Sequence, residues 1–235
     1  MEEMAKAKKA RYIHRMFTDL SERYDQASPA IALGRDGYWR DYTASFVEGV
    51  NGRILDACCG TGKLSIRLLE KTKSQVVAVD FCEKMVEKAK KKYGDREGLS
   101  IGIADVEKLP FPNETFACVT VAFGLRNVKD IPRAISEMLR VLEKGGKIII
   151  LDLGKPSTLL FRRVYYSYFY SIVPLFGGFI AGKGKHAYRY LPHSLTHFPS
   201  QNGLERIMKD LGLNDIKIYN LDRGIVAIHV GAKSR

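Results

Sequence analysis

Three carboxylates stand at or just after the ends of short apolar runs. They are Asp56 in Ile54-Leu-Asp-Ala-Cys-Cys-Gly-Thr-Gly62, Asp80 closing Gln75-Val-Val-Ala-Val-Asp80, and Asp105 after Leu99–Ala104. Between the first two, Gly60 and Gly62 let the backbone turn sharply and a ligand approach without a Cβ in the way. Asp80 lies 20 residues beyond Gly60, the offset at which a carboxylate meets a ribose 2′-hydroxyl. Two ribose-bearing cofactors fit such an acid, NAD and S-adenosylmethionine. For NAD the third fingerprint position should be Gly or Ala, and here it is Ser65; a pyrophosphate would also sit close to Asp56. A carboxylate at position 56 suits a ligand with an ammonium and a sulfonium, and Asp105 suits the exocyclic amine of adenine. S-adenosylmethionine therefore leads, with methyl transfer as the chemistry. The plainer readings are a glycine turn that only connects elements and an Asp80 that only caps a helix.

The surrounding pattern is strand, tight turn, helix, repeated. Strands are predicted at Ile54–Ala57, Gln75–Asp80, Leu99–Ala104, Ala117–Phe123 and Lys147–Leu153, and helices at Lys63–Lys71 and Glu83–Lys92. The continuously apolar Ala117–Phe123 reads as a central strand covered on both faces. Asp130 is placed to cap the next helix, with Pro132 in its first turn and Gly145-Gly146 to stop it. After a helix at Ser200–Leu211, strands Asp215–Leu221 and Ile225–Val230 are separated only by Asp222-Arg-Gly224, which predicts an antiparallel hairpin.

Two segments fall outside this rhythm. Residues 4–25 read as a basic amphipathic helix with Tyr12, Ile13, Met16, Phe17 and Leu20 on one stripe, broken afterwards at Ser28-Pro29. A second helix around Tyr38–Val47 follows, so a leader of some fifty residues packs over the open end of the sheet. Between residues 155 and 199, an aromatic stretch from Leu159 to Ala181, interrupted by Pro174 and followed by Lys183, Lys185 and Arg189, reads as an inserted helical lid.

The chain has 235 residues, a 46% hydrophobic fraction and a formal net charge of +12. That charge points to an acidic partner: nucleic acid, an anionic membrane surface or an anionic metabolite. Cys58, Cys59, Cys82 and Cys118 match no zinc spacing and are expected as free thiols in a reducing cytoplasm; no metal is expected. The charged N-terminus has no apolar signal core, and no apolar run is long enough to span a bilayer.

Asp56-x-x-x-Gly-Thr-Gly62 resembles motif I of class I methyltransferases. Phe123-Gly-Leu-Arg-Asn-Val128, Tyr188-Arg-Tyr-Leu191 with Ser194, Phe198-Pro-Ser-Gln201 and Gly224-Ile-Val-Ala-Ile-His229 together resemble the ubiquinone/menaquinone biosynthesis C-methyltransferases, in order, from about Phe17 to the C-terminus. The resemblance implies an α/β fold: a Rossmann-like class I methyltransferase sheet of seven strands, with a C-terminal antiparallel hairpin and helices on both faces. It divides the chain into an N-terminal helical cap, 1–50, and a methyltransferase domain, 51–235, carrying the lid at about 155–199. It places Gly60, Thr61, Gly62, Asp80, Asp105, Val106 and Ala122 around S-adenosylmethionine, with Asp80 on the ribose and Asp105-Val106 on the adenine. Arg126 and Asn127 would face the transferred methyl group, with Tyr24 reaching in from the cap.

The implied reaction is C-methylation of a prenylated quinol, demethylmenaquinol to menaquinol. Loss of a phenolic proton makes the adjacent ring carbon nucleophilic. Arginine stays protonated at ordinary pH, so Arg126 is expected to stabilise the oxyanion while a water or His193 takes the proton; a structural ion pair is the plainer role for Arg126. The implied partners are the quinol and an anionic membrane reached through the basic helix and aromatic lid, at the inner face of the cell membrane. A homodimer is kept open, and no nucleic acid is expected. The alternatives are a class I methyltransferase of another small aromatic or lipid substrate and an RNA-binding module; aromatics gathered in one lid rather than interleaved with basic residues disfavour RNA.

Overall fold

The strand Ile54–Ala57 (β1) is buried at every position, so its alternating side chains need a layer on each side. The computed structural model describes residues 2–173 and 185–234; Pro174, the end of the aromatic stretch and Lys183 lie outside the described residues. In chain order the leader forms α1 (Glu2–Leu20), α2 (Tyr24–Ile31) and α3 (Asp36–Ser45), ahead of β1. Next come α4 (Lys63–Lys71), β2 (Val76–Asp80), α5 (Glu83–Tyr93), β3 (Leu99–Ile103), β4 (Phe116–Ala122), α6 (Ile131–Val141) and β5 (Leu142–Leu153). The remainder is α7 (Leu159–Ser167), α8 (Lys185–His197), α9 (Gln201–Asp210), β6 (Leu213–Leu221) and β7 (Val226–Lys233).

The seven strands pair in the order β3-β2-β1-β4-β5-β7-β6, parallel except for β7, which runs antiparallel to both β5 and β6. Ile54, Ala78, Cys118 and Ile149 face a layer built from α1 to α4, α7 and α8. Leu55, Val77, Val119 and Ile148 face α6 and α9. Helices therefore cover both faces, and the C-terminal hairpin forms as its sequence indicated.

Three local expectations need correction. The leader helix does not run unbroken over 4–25: a 3-10 turn, Ser21–Arg23, separates α1 from α2, where Ser21 Oγ donates to the Thr18 carbonyl at 2.8 Å and competes with the α-helical ladder. Pro29 does not break the pattern but lies inside α2, two residues from its end, where its missing N–H forfeits one hydrogen bond. Helix α6, capped by Asp130 as expected, stops at Val141 rather than at the glycine pair. Gly145 and Gly146 instead form an irregularity in β5, where Phe116 pairs with Leu142 but Cys118 pairs with Lys147. A Cβ on Gly146 would lie 2.8 Å from the Ala117 carbonyl oxygen.

The leader is fixed to the sheet by charges. Within α3, Asp36 and Arg40 form a buried ion pair, and Lys63 at the start of α4 reaches Asp36 at 3.0 Å. Asp25 of α2 accepts from Thr61 at 2.6 Å and pairs with Lys92 of α5. At the other edge, Trp39 Nε1 donates to Asp222 at 2.5 Å and Arg35 pairs with the same carboxylate at 2.9 Å. Burial by itself would raise the carboxyls of Asp25 and Asp36, but their cationic partners hold both below the ordinary value.

Asp36→Ala should lower the unfolding free energy by about 3–5 kcal/mol, because it strands the Arg40 guanidinium in the interior; urea titration reads this. Depressed carboxyls contribute stability that is present above their unfolded value near 4 and lost as pH falls below it. Trp39, the single tryptophan, packs 6.0 Å from Phe123, so its fluorescence should change on acidification through that window.

Candidate active site

The carboxyl ends of β1 and β4 hold the backbone in unusual shapes. Cys58, after β1, has φ 55°, and Phe123, after β4, has φ 57°. Left-handed conformations at non-glycine residues cost about 1–3 kcal/mol each and persist where the surroundings force them. Gly124 lets the two turns meet, since a Cβ there would lie 2.4 Å from the Cys58 Cβ.

Asp80 ties this end of the sheet together. Its Oδ2 accepts from the Gly60 N–H and its Oδ1 from the Cys82 N–H, both at 2.9 Å. Burial raises its carboxyl above the usual range, and the backbone donors offset this only in part. Asp105 accepts from the Glu107 N–H at 2.9 Å and from Lys129 Nζ at 3.2 Å. Gly60, Asp80, Asp105, Val106 and Ala122 line one pocket, joined by Phe81 and roofed by Ala10, Ile13 and Phe17 of α1. A Cβ on Gly60 would meet nothing within 4 Å, so that turn is open to a ligand. The set suits a nucleoside: a carboxylate with unused lone pairs for vicinal hydroxyls, and a second acid beside apolar walls for an amino-bearing ring. The free space is about 80 Å³, against about 300 Å³ or more for ordinary ligand pockets. The α1 roof is fastened by Lys9 to the Val128 carbonyl at 2.6 Å and by His14 to Glu83 at 2.7 Å.

Two members of the sequence-derived cofactor set stand outside this lining. Thr61 is buried and gives its hydroxyl to Asp25. Gly62, at φ 81°, precedes α4, and a Cβ there would press on the Tyr93 ring at 3.0 Å. Asp56 corrects a further expectation. It does not face a cationic ligand but lies inside the sheet, accepting from Ser65 Oγ at 2.5 Å and Thr120 Oγ1 at 3.0 Å. Burial pushes its carboxyl up to about 6, against the lowering effect of those two hydroxyls.

A second cavity, of about 480 Å³ and mostly apolar, adjoins the first; Phe17, Tyr24, Phe123 and Asn127 line both. Arg126 lines the larger one. Its Nη1 donates to Asp152 Oδ1 and to the Phe123 carbonyl, each at 2.7 Å, while its Nε is buried without a partner. Asn127 Nδ2 donates to the same carbonyl at 3.2 Å. Burial raises the Tyr24 phenol, which keeps it a neutral hydrogen-bonding group. The structure thus brings Arg126, Asn127 and Tyr24 together where the two cavities meet. His193 is not among them: it is exposed on α8, stacked on His197 at 4.1 Å, and cannot receive a proton from the cavity.

Sequence reasoning missed Asp25, Asp36 and Asp152, which meet Thr61, Lys63 and Arg126 across 26 or more residues of chain. The quoted motif residues Gln201, Gly224 and His229 prove structural. Gln201 bonds both backbone groups of Lys155, and His229 Nε2 meets the Gln201 carbonyl at 2.9 Å. Among the described residues no group of three His, Cys, Asp or Glu side chains could hold a metal ion.

The strand order, the reversed last strand and a pocket at the carboxyl ends of the parallel strands are those of a class I S-adenosylmethionine-dependent methyltransferase. A solved S-adenosylmethionine-dependent methyltransferase of Thermotoga maritima, described as a possible histamine N-methyltransferase, shares the fold, with a TM-score of 0.67 over 94% of this chain and 99% of its own at 20% identity. The chain belongs to the ubiE/COQ5 methyltransferase family, whose sequence model matches residues 4–233. It is 38% identical to the ubiquinone/menaquinone biosynthesis C-methyltransferase UbiE of Geobacter sulfurreducens, over 96% of this chain and 90% of that one. It is 36% identical to the demethylmenaquinone methyltransferase of Staphylococcus epidermidis, over 96% of this chain and 94% of that one.

Because Asp56 titrates at about 6 in the folded chain against 3.8 unfolded, the native state holds the extra proton between those values. Stability from this group is therefore greatest below pH 4 and falls by roughly 3 kcal/mol as pH rises through 6. Asp56→Asn should remove that slope from urea unfolding measured between pH 4 and pH 7.

Proposed function

We propose that this chain transfers the methyl group of S-adenosylmethionine to a ring carbon of a prenylated hydroquinol, demethylmenaquinol. The observation that carries the reading is the junction of the small pocket at Gly60, Asp80 and Asp105 with a large, mostly apolar cavity, at a cluster whose one charged member is Arg126. The names of the full-length relatives support the quinol as acceptor. S-adenosylmethionine supplies an electrophilic methyl when bound. Asp80 holds the ribose hydroxyls, Asp105 and Val106 the adenine, and Gly60 the close backbone approach, with Thr61 and Gly62 shaping the turn. Arg126 stabilises the oxyanion formed when the quinol loses its proton to water, and Asn127 and Tyr24 fix the ring between the two cavities. Residues 1–50 act as the cap over both sites, and residues 155–199 as a lid on the 51–235 domain.

The cavity also indicates how a lipid acceptor arrives. Leu33 and Val164 line it and are 73% and 58% exposed, so they mark its mouth. Leu159 and Leu160 are exposed close to Val164 in the chain, Arg35 and Arg163 are exposed close to Leu33 and Val164, and the exposed Arg223 lies over the Phe161 ring at 5.5 Å. Apolar tips amid arginines suit an anionic bilayer and support a reading in which the enzyme works at the inner face of the cell membrane, the prenyl tail passing through the mouth. No helix among the described residues is long and apolar enough to cross a membrane.

Incubation with labelled S-adenosylmethionine and reduced demethylmenaquinone tests the reading; no label in the quinol would refute it. Arg126→Ala should lower kcat by about 10²–10³-fold and leave cofactor affinity within about threefold. Asp80→Asn should raise the cofactor dissociation constant about tenfold or more, read by calorimetry. Flotation with phosphatidylglycerol vesicles at low salt should carry the wild-type chain, and a Leu159→Ser/Leu160→Ser variant should stay behind.

A further inference from the structure

Arg126 does not orient itself. Asp152, near the end of β5 and 2% exposed, accepts from the Arg126 backbone N–H through Oδ2 at 3.2 Å and from Arg126 Nη1 through Oδ1 at 2.7 Å. The same Oδ1 accepts from the Leu153 N–H at 2.8 Å, which fixes the carboxylate to its own strand. With the Phe123 carbonyl also on Nη1, that nitrogen is fully engaged, whereas Nε remains buried and unbonded. A buried donor without an acceptor is destabilising by about 1–3 kcal/mol, so it is retained against a force. Asp152 is absent from the cavity lining, and Arg126 is part of it.

We infer that Asp152 is a positioning residue: it locks the Nη1 edge of the Arg126 guanidinium and so fixes how Arg126 presents its charge to the acceptor oxygen of the substrate in the cavity. The inference rests on the proposed role of Arg126 at that oxygen. It has an electrostatic consequence. The carboxylate opposes the oxyanion that Arg126 favours, so the pair sets the pH at which the bound hydroxyl ionises. Among the described residues the other groups whose charges act on this pair include Cys58 after β1, a thiol that burial keeps neutral, and four more: Tyr24 from α2, Tyr165 from α7, Tyr190 from α8 and His229 from β7. Asp36 and Arg40 of α3 neutralise one another. Burial raises the three phenols and lowers the imidazole, so all four are neutral near pH 7 and the Arg126–Asp152 pair dominates.

The test compares Asp152→Asn, Asp152→Glu and Arg126→Ala in the full chain. The readouts are kcat and KM against pH with reduced demethylmenaquinone, and the phenolate absorbance of bound 4-nitro-1-naphthol, which needs no turnover. Asp152→Asn should lower kcat about 10–100-fold with KM nearly unchanged. It should also move both the acid limb of kcat and the bound naphthol's ionisation down by about one pH unit. Asp152→Glu keeps the charge but displaces it, so kcat should fall while the limb stays at the wild-type pH. A lower kcat with an unmoved limb in Asp152→Asn would make Asp152 merely structural and overturn the inference. Wild-type turnover in Asp152→Glu would overturn it too, even if the Asn variant failed to fold. If Arg126→Ala itself retained turnover, the proposed function of Arg126 would fall first; its loss beside an active Asp152→Asn variant would sink only the positioning role.

Discussion

The chain of charges that runs from Asp36 and Arg40 through Lys63 to Asp25, Thr61 and Lys92 is the constraint on which the rest of the structure depends. A parallel sheet presents its ligand side as an open crevice, and here the leader helices must form the missing wall. Their apolar stripe supplies adhesion without direction. The buried ion pair and its neighbours supply the direction, because a displaced α3 would leave charges uncompensated in the interior. With the leader seated, Phe17 of α1 and Tyr24 of α2 fall where the two cavities meet.

Within that enclosure charge is scarce. The larger cavity is walled chiefly by aliphatic and aromatic side chains, and Arg126 enters it already neutralised on one side by Asp152. A lone guanidinium in so apolar a space would be strongly disfavoured, and one fully consumed by a carboxylate would have nothing left to offer. The observed compromise engages one nitrogen and leaves Nε bare. An oxyanion in the cavity would meet a preorganised guanidinium in a low dielectric, where such an interaction is strongest. The raised phenols of Tyr24 and Tyr190 fit the same logic: they add hydrogen-bonding capacity without competing negative charge.

Strand and helix types were legible from residues 54 to 153 because a parallel sheet writes itself as short apolar runs ending in turn residues. Asp130 was legible as a cap because capping is local. The leader was read less well. Ser21 and Pro29 carry opposite signals in isolation, one permissive and one disruptive, yet the helix breaks at the first and continues through the second. Gly145-Gly146 looked like a helix stop, whereas the register of β5 against β4 uses it as an irregularity.

By itself the sequence determined the fold class, since that rests on local pattern and on motifs that survive as strings. Only the tertiary structure decided that Asp56 is an internal acid held by Ser65 and Thr120, that Thr61 serves Asp25, that His193 is turned to solvent, and that Asp152 holds Arg126. The reason is physical. A carboxylate looks the same in any string, and what it does depends on which hydroxyl, cation or solvent the fold brings to it from tens of residues away.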